Sequence, residues 1–141
     1  MIPRNSSISA TLKLPVLLTE RRTTLKNWVC DITIKAAQNS LFRPYQHAAV
    51  LESGGSLLAI ACNQPKASNP QTSCSVHAEV AAIRKMGLRA KRCDIYVARV
   101  VKGRVGLSKP CPKCTRAILE TGWIDKVYFS CENGDWNSIK L

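Results

Sequence analysis

Residues 110–130 read Pro110-Cys111-Pro112-Lys113-Cys114-Thr115-Arg116-Ala117-Ile118-Leu119-Glu120-Thr121-Gly122-Trp123-Ile124-Asp125-Lys126-Val127-Tyr128-Phe129-Ser130. Pro112 suits the first position of a helix, where a backbone N–H would have no partner in any case. Gly122 can terminate that helix after about Thr121. Lys126 to Ser130 then reads as a strand through Val127, Tyr128 and Phe129. Upstream, Asp94 to Val101 reads as another strand through Ile95, Val97, Val100 and Val101. Two strands joined through a helix are expected to run parallel by a right-handed crossover, which sets an α/β fold class.

Earlier in the chain, His47 to Leu51 and Leu57 to Cys62 are short apolar runs around Ser53-Gly54-Gly55-Ser56, a β-hairpin pattern in which glycines permit the turn dihedrals. Asn63 to Ser75, with Pro65 and Pro70, reads as a loop into a helix from His77 to Met86 that Gly87 ends. Before the hairpin, Thr24 can cap a helix whose stripe is Leu25, Val29, Ile32 and Ala36, with Trp28 bordering it as a core residue. The order is α-β-β-α-β-α-β with four clear strands. Residues 1–22 read as an irregular arm and residues 23–141 as one domain; the structure of Cys131 to Leu141 is not readable.

Bulk composition narrows the function. The 141 residues carry 21 Lys and Arg against 9 Asp and Glu, a net +12 that favours anionic partners such as nucleotides or nucleic acid. Eleven of those cations fall between Arg84 and Arg116 against the single acid Asp94, a run that a solvated surface would explain equally well. Seven cysteines, an odd number with two spaced Cys111-x-x-Cys114, favour a reducing, cytoplasmic setting over a disulfide framework. Ile8 to Leu18 is apolar but interrupted by Lys13, so no signal peptide is expected, and no run is long enough for a membrane span.

Chemistry concentrates in few residues. Cys111 and Cys114, three apart at a helix start, can direct both sulfurs to one point. A helix N-terminus is expected to favour their thiolates. His77 begins another helix, so His77, Cys111 and Cys114 together offer the three protein ligands of a catalytic zinc whose fourth position is left to water. Glu79, two residues on, is placed to carry protons in a hydrolysis. Alternatives use the same residues: a redox Cys-x-x-Cys pair, or a noncatalytic zinc-stabilised binding module with Cys74 or Cys131 as a fourth donor. Cys30, Cys62 and Cys93 read as small buried groups.

The segment His77-Ala78-Glu79 followed by Pro110-Cys111-Pro112-Lys113-Cys114 resembles the signature of the cytidine deaminase-like superfamily, over roughly Leu25 to Ser130. Ala117 to Tyr128 looks most like its deoxycytidylate deaminase branch. The resemblance implies a three-layer α-β-α fold with a mixed sheet of four to five strands and a Zn2+ cofactor. It also implies hydrolytic conversion of cytosine to uracil in a nucleoside or nucleotide, with release of ammonia. Asn63, in Ile60-Ala61-Cys62-Asn63, stands where several branches contact base or sugar; Ala78 and His47 complete the expected substrate-binding set. A homo-oligomer is implied too, because many members build the active site at subunit contacts. The rival substrate is cytosine or adenine within RNA or single-stranded DNA, motivated by the basic run.

Overall fold

A computed structural model describes residues 25–41, 45–65 and 75–141. The expected arm at 1–22, the Thr24 cap and Cys74 lie outside the described residues. Among the described residues helix α1 (Asn27–Gln38) comes first, followed by the hairpin β1 (Gln46–Ser53) and β2 (Ser56–Cys62). Two-residue strands β3 (Gln64–Pro65) and β4 (Ser75–Val76) pair with each other ahead of α2 (Ala78–Met86) and a short 3₁₀ turn at Gly87–Arg89. Strand β5 (Cys93–Val101), β6 (Arg104–Gly106), α3 (Pro112–Thr121), β7 (Ile124–Ser130) and β8 (Trp136–Lys140) complete the order.

The main sheet runs β2-β1-β5-β7-β8, with β6 added along the end of β5. Strands β5 and β7 are parallel, as expected for a connection through α3, and every other pairing is antiparallel, so the sheet is mixed. Alternation along the strands sorts the side chains into two cores. Ala49, Leu51, Ile95, Val97, Val127 and Phe129 meet α2 and α3 on one face, through Ala78, Ala82, Met86 and Ile118. Val50, Tyr96 and Tyr128 meet Val29 and Cys30 of α1 on the other, with Ala48, Ala98 and Val100 beside Ala37. Full burial of a side chain such as Leu51 or Ile118 stabilises by roughly 1.5–3 kcal/mol, so these two faces fix the three layers.

Several expectations need amendment. Among the described residues the main path of the sheet has five strands, within the four to five expected, and β6 is added to it as a sixth. Strand β8 lay in the tail whose structure the sequence left open; only Trp136 and Ile139 are half-buried on it, a weak strand pattern at a sheet edge. Helix α1 starts at Asn27, and its N-cap position, Lys26, makes no side-chain cap. Its fully buried residues are Val29, Cys30, Thr33 and Ala37, so the buried stripe is turned by about one position from Leu25, Val29, Ile32 and Ala36. That rotation leaves Trp28 44% exposed rather than in the core. Cys30 and Cys93 are buried as expected; Cys62 is half-buried, with its thiol on the Ala36 carbonyl.

The basic, Gly-containing stretch Lys102–Lys109 opens as a tight hairpin. Lys102 and Gly103 both have positive φ, 51° and 78°, which is the two-residue turn whose twist suits antiparallel strands. Strand β6 thereby pairs with Arg99–Val101 just beyond the part of β5 that β7 covers.

Candidate metal centre and its cavity

Both helices on the catalytic face begin at the same edge of the sheet. His77 is the N-cap residue of α2, with extended dihedrals, and Cys111 occupies the same position on α3, followed by Pro112. Cys114 lies one turn into α3 and is almost fully buried. The ligand atoms of His77, Cys111 and Cys114 all lie within 4.8 Å of one another. His77 Nδ1 is 3.0 Å from Cys114 Sγ and 3.8 Å from Cys111 Sγ. Tetrahedral zinc with bonds of about 2.3 Å to sulfur and about 2.0 Å to nitrogen separates ligand atoms by roughly 3.5–3.8 Å. The two nitrogen–sulfur distances lie on either side of the separation that tetrahedral zinc requires, so the three donors suit it. Among the described residues no further Cys or His joins the group, and Cys131 stands apart from it.

Charge in this corner is unbalanced without a cation. Burial, then the Glu79 carboxylate and Cys111, push the Cys114 thiol far up, so the helix N-terminus alone does not yield the thiolate expected from sequence. A divalent ion reverses that balance, since a coordinating thiol is deprotonated outright. Glu79 is 5% exposed; burial raises its pKa, opposed by its own backbone N–H, by His77 and by Cys114. A buried carboxylate displaced from its ordinary range is the environment in which proton transfer is tuned.

The ligands open onto a cavity of about 160 Å³. His77, Glu79 and Cys111 form one side, and His47, Val97 and Arg99 of the sheet form the floor. Leu107, Ser108 and Lys109, from the segment between β6 and α3, close the rim. His47 is thus placed in the cavity wall. Burial, then Arg99 and His77, lower its pKa to about 4, so its ring is neutral at physiological pH.

Two other expected contacts lie elsewhere. Ala78 is completely buried in the core under α2 and does not line the cavity. Asn63 is buried outside the cavity wall: its Oδ1 accepts from Ser40 Oγ at 2.8 Å and from the His47 N–H at 3.0 Å, and its Nδ2 donates to the Tyr45 carbonyl. Its side chain ties the end of β2 to the start of β1, holding the His47 backbone.

The sequence reading passed over Arg99 and Ser108. Arg99 is signalled by strand period: it stands two after Val97 and four after Ile95, a basic residue in phase with the core. Ser108 carries no such signal. Its Oγ donates to the Val97 carbonyl at 2.7 Å and accepts from the Ser130 N–H at 2.8 Å, while its own N–H donates to the Ser130 carbonyl at 2.9 Å. Ser130 Oγ donates to the Gly106 carbonyl at 2.8 Å. These buried bonds pin the chain three residues before Cys111.

Two cysteines and a histidine at paired helix starts, beside a buried carboxylate that is not one of the ligands, define a metal-dependent hydrolase of the deaminase class. Residues 24–131 match the model of the cytidine and deoxycytidylate deaminase zinc-binding region, and the chain belongs to that family. Among solved structures it is similar to cytidine deaminase from Burkholderia pseudomallei, at 18% identity and TM-score 0.63 over 83% of this chain and 93% of that one. It is also similar to dCMP deaminase from the cyanophage S-TIM5 in complex with dCMP and dUMP, at 21% identity and TM-score 0.56 over 77% and 85%. Cytidine deaminase from Mycobacterium leprae follows at 17% identity and TM-score 0.53 over 81% and 94%. At these identities the structures establish the shared fold. No curated protein sequence matches the chain.

Proposed function

We propose that this zinc-binding deaminase converts cytosine to uracil in a free nucleoside or nucleotide, with Glu79 as the proton carrier. The observation that carries the reading is Glu79 itself, buried beside the three ligands and facing a cavity far smaller than the roughly 300–1,000 Å³ of general ligand pockets. Such a space suits one flat base, with the sugar left at the rim.

His77, Cys111 and Cys114 would hold the zinc, whose chemistry when bound is to bring the acidity of water close to neutral pH. Glu79 takes a proton from the attacking water and delivers it to the ring nitrogen of the base. With the carbon–oxygen bond formed, the same carboxylate takes the second proton from the hydroxyl now on the ring carbon and passes it to the amine, so the carbon–nitrogen bond breaks as the carbonyl forms. The sum is water plus cytosine giving uracil plus ammonia. The walls supply Val97 as an apolar surface and His47 as a neutral ring against which the base can lie.

The test is ammonia release by the zinc-loaded chain from cytidine, deoxycytidine, their monophosphates, adenosine and short RNA and DNA oligomers. Turnover is expected on the cytosine monomers. Glu79→Gln should keep zinc and substrate affinity while lowering turnover by at least about a hundredfold, since an amide keeps size and hydrogen bonding but carries no proton. Normal turnover by that variant would assign proton transfer to another group.

A further inference from the structure

The two outer strands of the sheet, β2 and β8, end it differently. Antiparallel neighbours exchange backbone bonds through alternate residues only, so one bonded pair fixes the direction of every group along an edge strand. The Asn63 N–H donates to the His47 carbonyl at 3.2 Å, which with the β1–β2 register turns Ala59 and Ala61 toward β1 and Ile60 outward. Lys85 Nζ donates to that outward Ile60 carbonyl, so the β2 edge is partly closed. At the other edge the Leu141 N–H donates to the Asp125 carbonyl at 3.0 Å, and the Cys131 N–H to the Asp135 carbonyl at 2.8 Å. With the β7–β8 register, these bonds turn Asn137 and Ile139 toward β7. The backbone N–H and C=O of Trp136, Ser138 and Lys140 therefore point away from it. Among the described residues nothing pairs with them.

Natural edge strands discourage further pairing with bulges, prolines or charges. Strand β8 has an unbroken register, no proline and one charge, Lys140. Ser138 and Lys140 are exposed, and the helices pack on β1, β2, β5 and β7, which leaves the outer side of β8 clear. The occupant follows from the pattern of outward groups. A second β8, antiparallel with Ser138 opposite Ser138, pairs Trp136 of each copy with Lys140 of the other. Three N–H groups of each copy then meet three carbonyls of the other, whereas a slip of two residues leaves one end of each strand unpaired. The same register sets Lys140 of one copy beside Trp136 of the other on the α1 face, a cation against an aromatic ring.

We propose that the protein forms a two-fold dimer by pairing β8 with β8 of a second copy, joining the two sheets into one. The axis passes beside Ser138, perpendicular to the sheet, so both metal centres lie on the same side of the joined sheet. Such a contact is closed, because each copy presents the same strand to the other. No residue of β8 lines the metal-side cavity, so the dimer stands whichever base is deaminated.

Sedimentation equilibrium of the zinc-loaded full chain tests this. One strand pair is smaller than a standard stable interface, so the dissociation constant is expected at about 10–100 μM. Added salt should tighten the dimer, because each copy carries +12 and screening weakens their repulsion. Ser138→Pro removes an N–H that the pairing uses and the β7–β8 ladder does not, a position at which an edge strand accepts proline. It should weaken the dimer at least about tenfold, by the loss of two bonds across the axis, with zinc content and Tm close to wild type. Should that variant fail to fold, Ser138→Cys decides. Paired Cα atoms across the axis stand about 5.5 Å apart, within disulfide reach, so oxidised glutathione should link two copies through the introduced thiols, located by peptide mapping. Lys140→Cys sets its thiols about 13 Å apart along the paired strands and should not link. A chain that stays monomeric to about 300 μM, a dimer undiminished by a folded Ser138→Pro, or equal linkage at both positions overturns the proposal.

Discussion

Asp94→Asn should stabilise the protein at neutral pH and progressively lose that benefit in acid. Asp94 lies on β5 on the α1 face, paired in register with Glu52 on β1 and Lys126 on β7. Burial, then the carboxylates of Glu52 and Asp125, raise its pKa from 3.8 to about 6, against the pull of Lys126 and Lys26. A raised acid pKa means that the folded chain holds its proton more tightly than the unfolded chain. Stability therefore falls as pH rises from about 3.8, and the penalty is complete above about 6. Two pKa units would correspond to about 3 kcal/mol, but solvent reaches roughly half of the group, so about 1–1.5 kcal/mol is the expected penalty. With these pKa values roughly half of it is already present at pH 5 and about a fifth at pH 4. Urea unfolding of both proteins at matched zinc content, at pH 5 and pH 8, measures the difference. Asparagine should gain about 1 kcal/mol at pH 8 and about half as much at pH 5. An equal gain at both values, or a loss at pH 8, would refute the linkage. Catalysis should be unchanged, since Asp94 does not line the cavity.

Cys111→Ser and Cys114→Ser should each take bound zinc from about one per chain to nearly none by elemental analysis; full occupancy in both would displace the ligand assignment. The buried Cys114 variant should also melt lower than the half-exposed Cys111 variant. Ser108→Ala leaves the Ser130 N–H buried without its acceptor and should cost about 1–3 kcal/mol in urea unfolding, with weaker zinc retention against a chelator. Wild-type values on both counts would mean that this network does not hold the metal-bearing segment. Lys102 and Arg104 are exposed around the hairpin turn, so their joint change to Gln should leave monomer turnover intact. If RNA or DNA is the substrate, the same change should instead flatten the salt dependence of oligomer binding.

The metal centre was legible because its cue is local. A histidine or cysteine at a helix start, with proline following Cys111 and glycine closing the helix at Gly122, is written in adjacent residues, and Gly122 does adopt a left-handed φ of 72°. The strands that carry the two cores were legible for the same reason: Ile95, Val97, Val100 and Val101 declare a buried strand without reference to anything distant. Strand β8 was not, because an edge strand with one half-covered face needs only Trp136 and Ile139 to be apolar. The phase of α1 was misjudged where Thr33 is buried: its hydroxyl is satisfied by the Val29 carbonyl at 2.7 Å, within its own helix, so a polar residue could turn inward. Asn63 shows a different limit. A buried asparagine reads the same whether its amide serves a ligand or, as here, the Tyr45 carbonyl, Ser40 and the His47 N–H.

The short hairpin after β5 links the sheet to the cavity rim and to the metal-bearing helix. A direct link from β5 to α3 would leave nothing over the end of the sheet beyond Val97, where β7 stops pairing. Turning at Lys102–Gly103 instead lays β6 against Arg99–Val101 and brings Leu107, Ser108 and Lys109 back across that end as the cavity rim. Ser108 then reaches two strands at once, Val97 on β5 and Ser130 on β7, so the rim is fastened to the most buried part of the sheet. Two consequences follow from one bend. Cys111 begins its helix from a fixed point, which the metal requires, and Arg99 is roofed over rather than left in solvent. Nine of the eleven cations in this run stand outside the cavity lining, and Lys109 joins its rim. The hairpin makes Arg99 part of its wall, the one half-buried cation of the run.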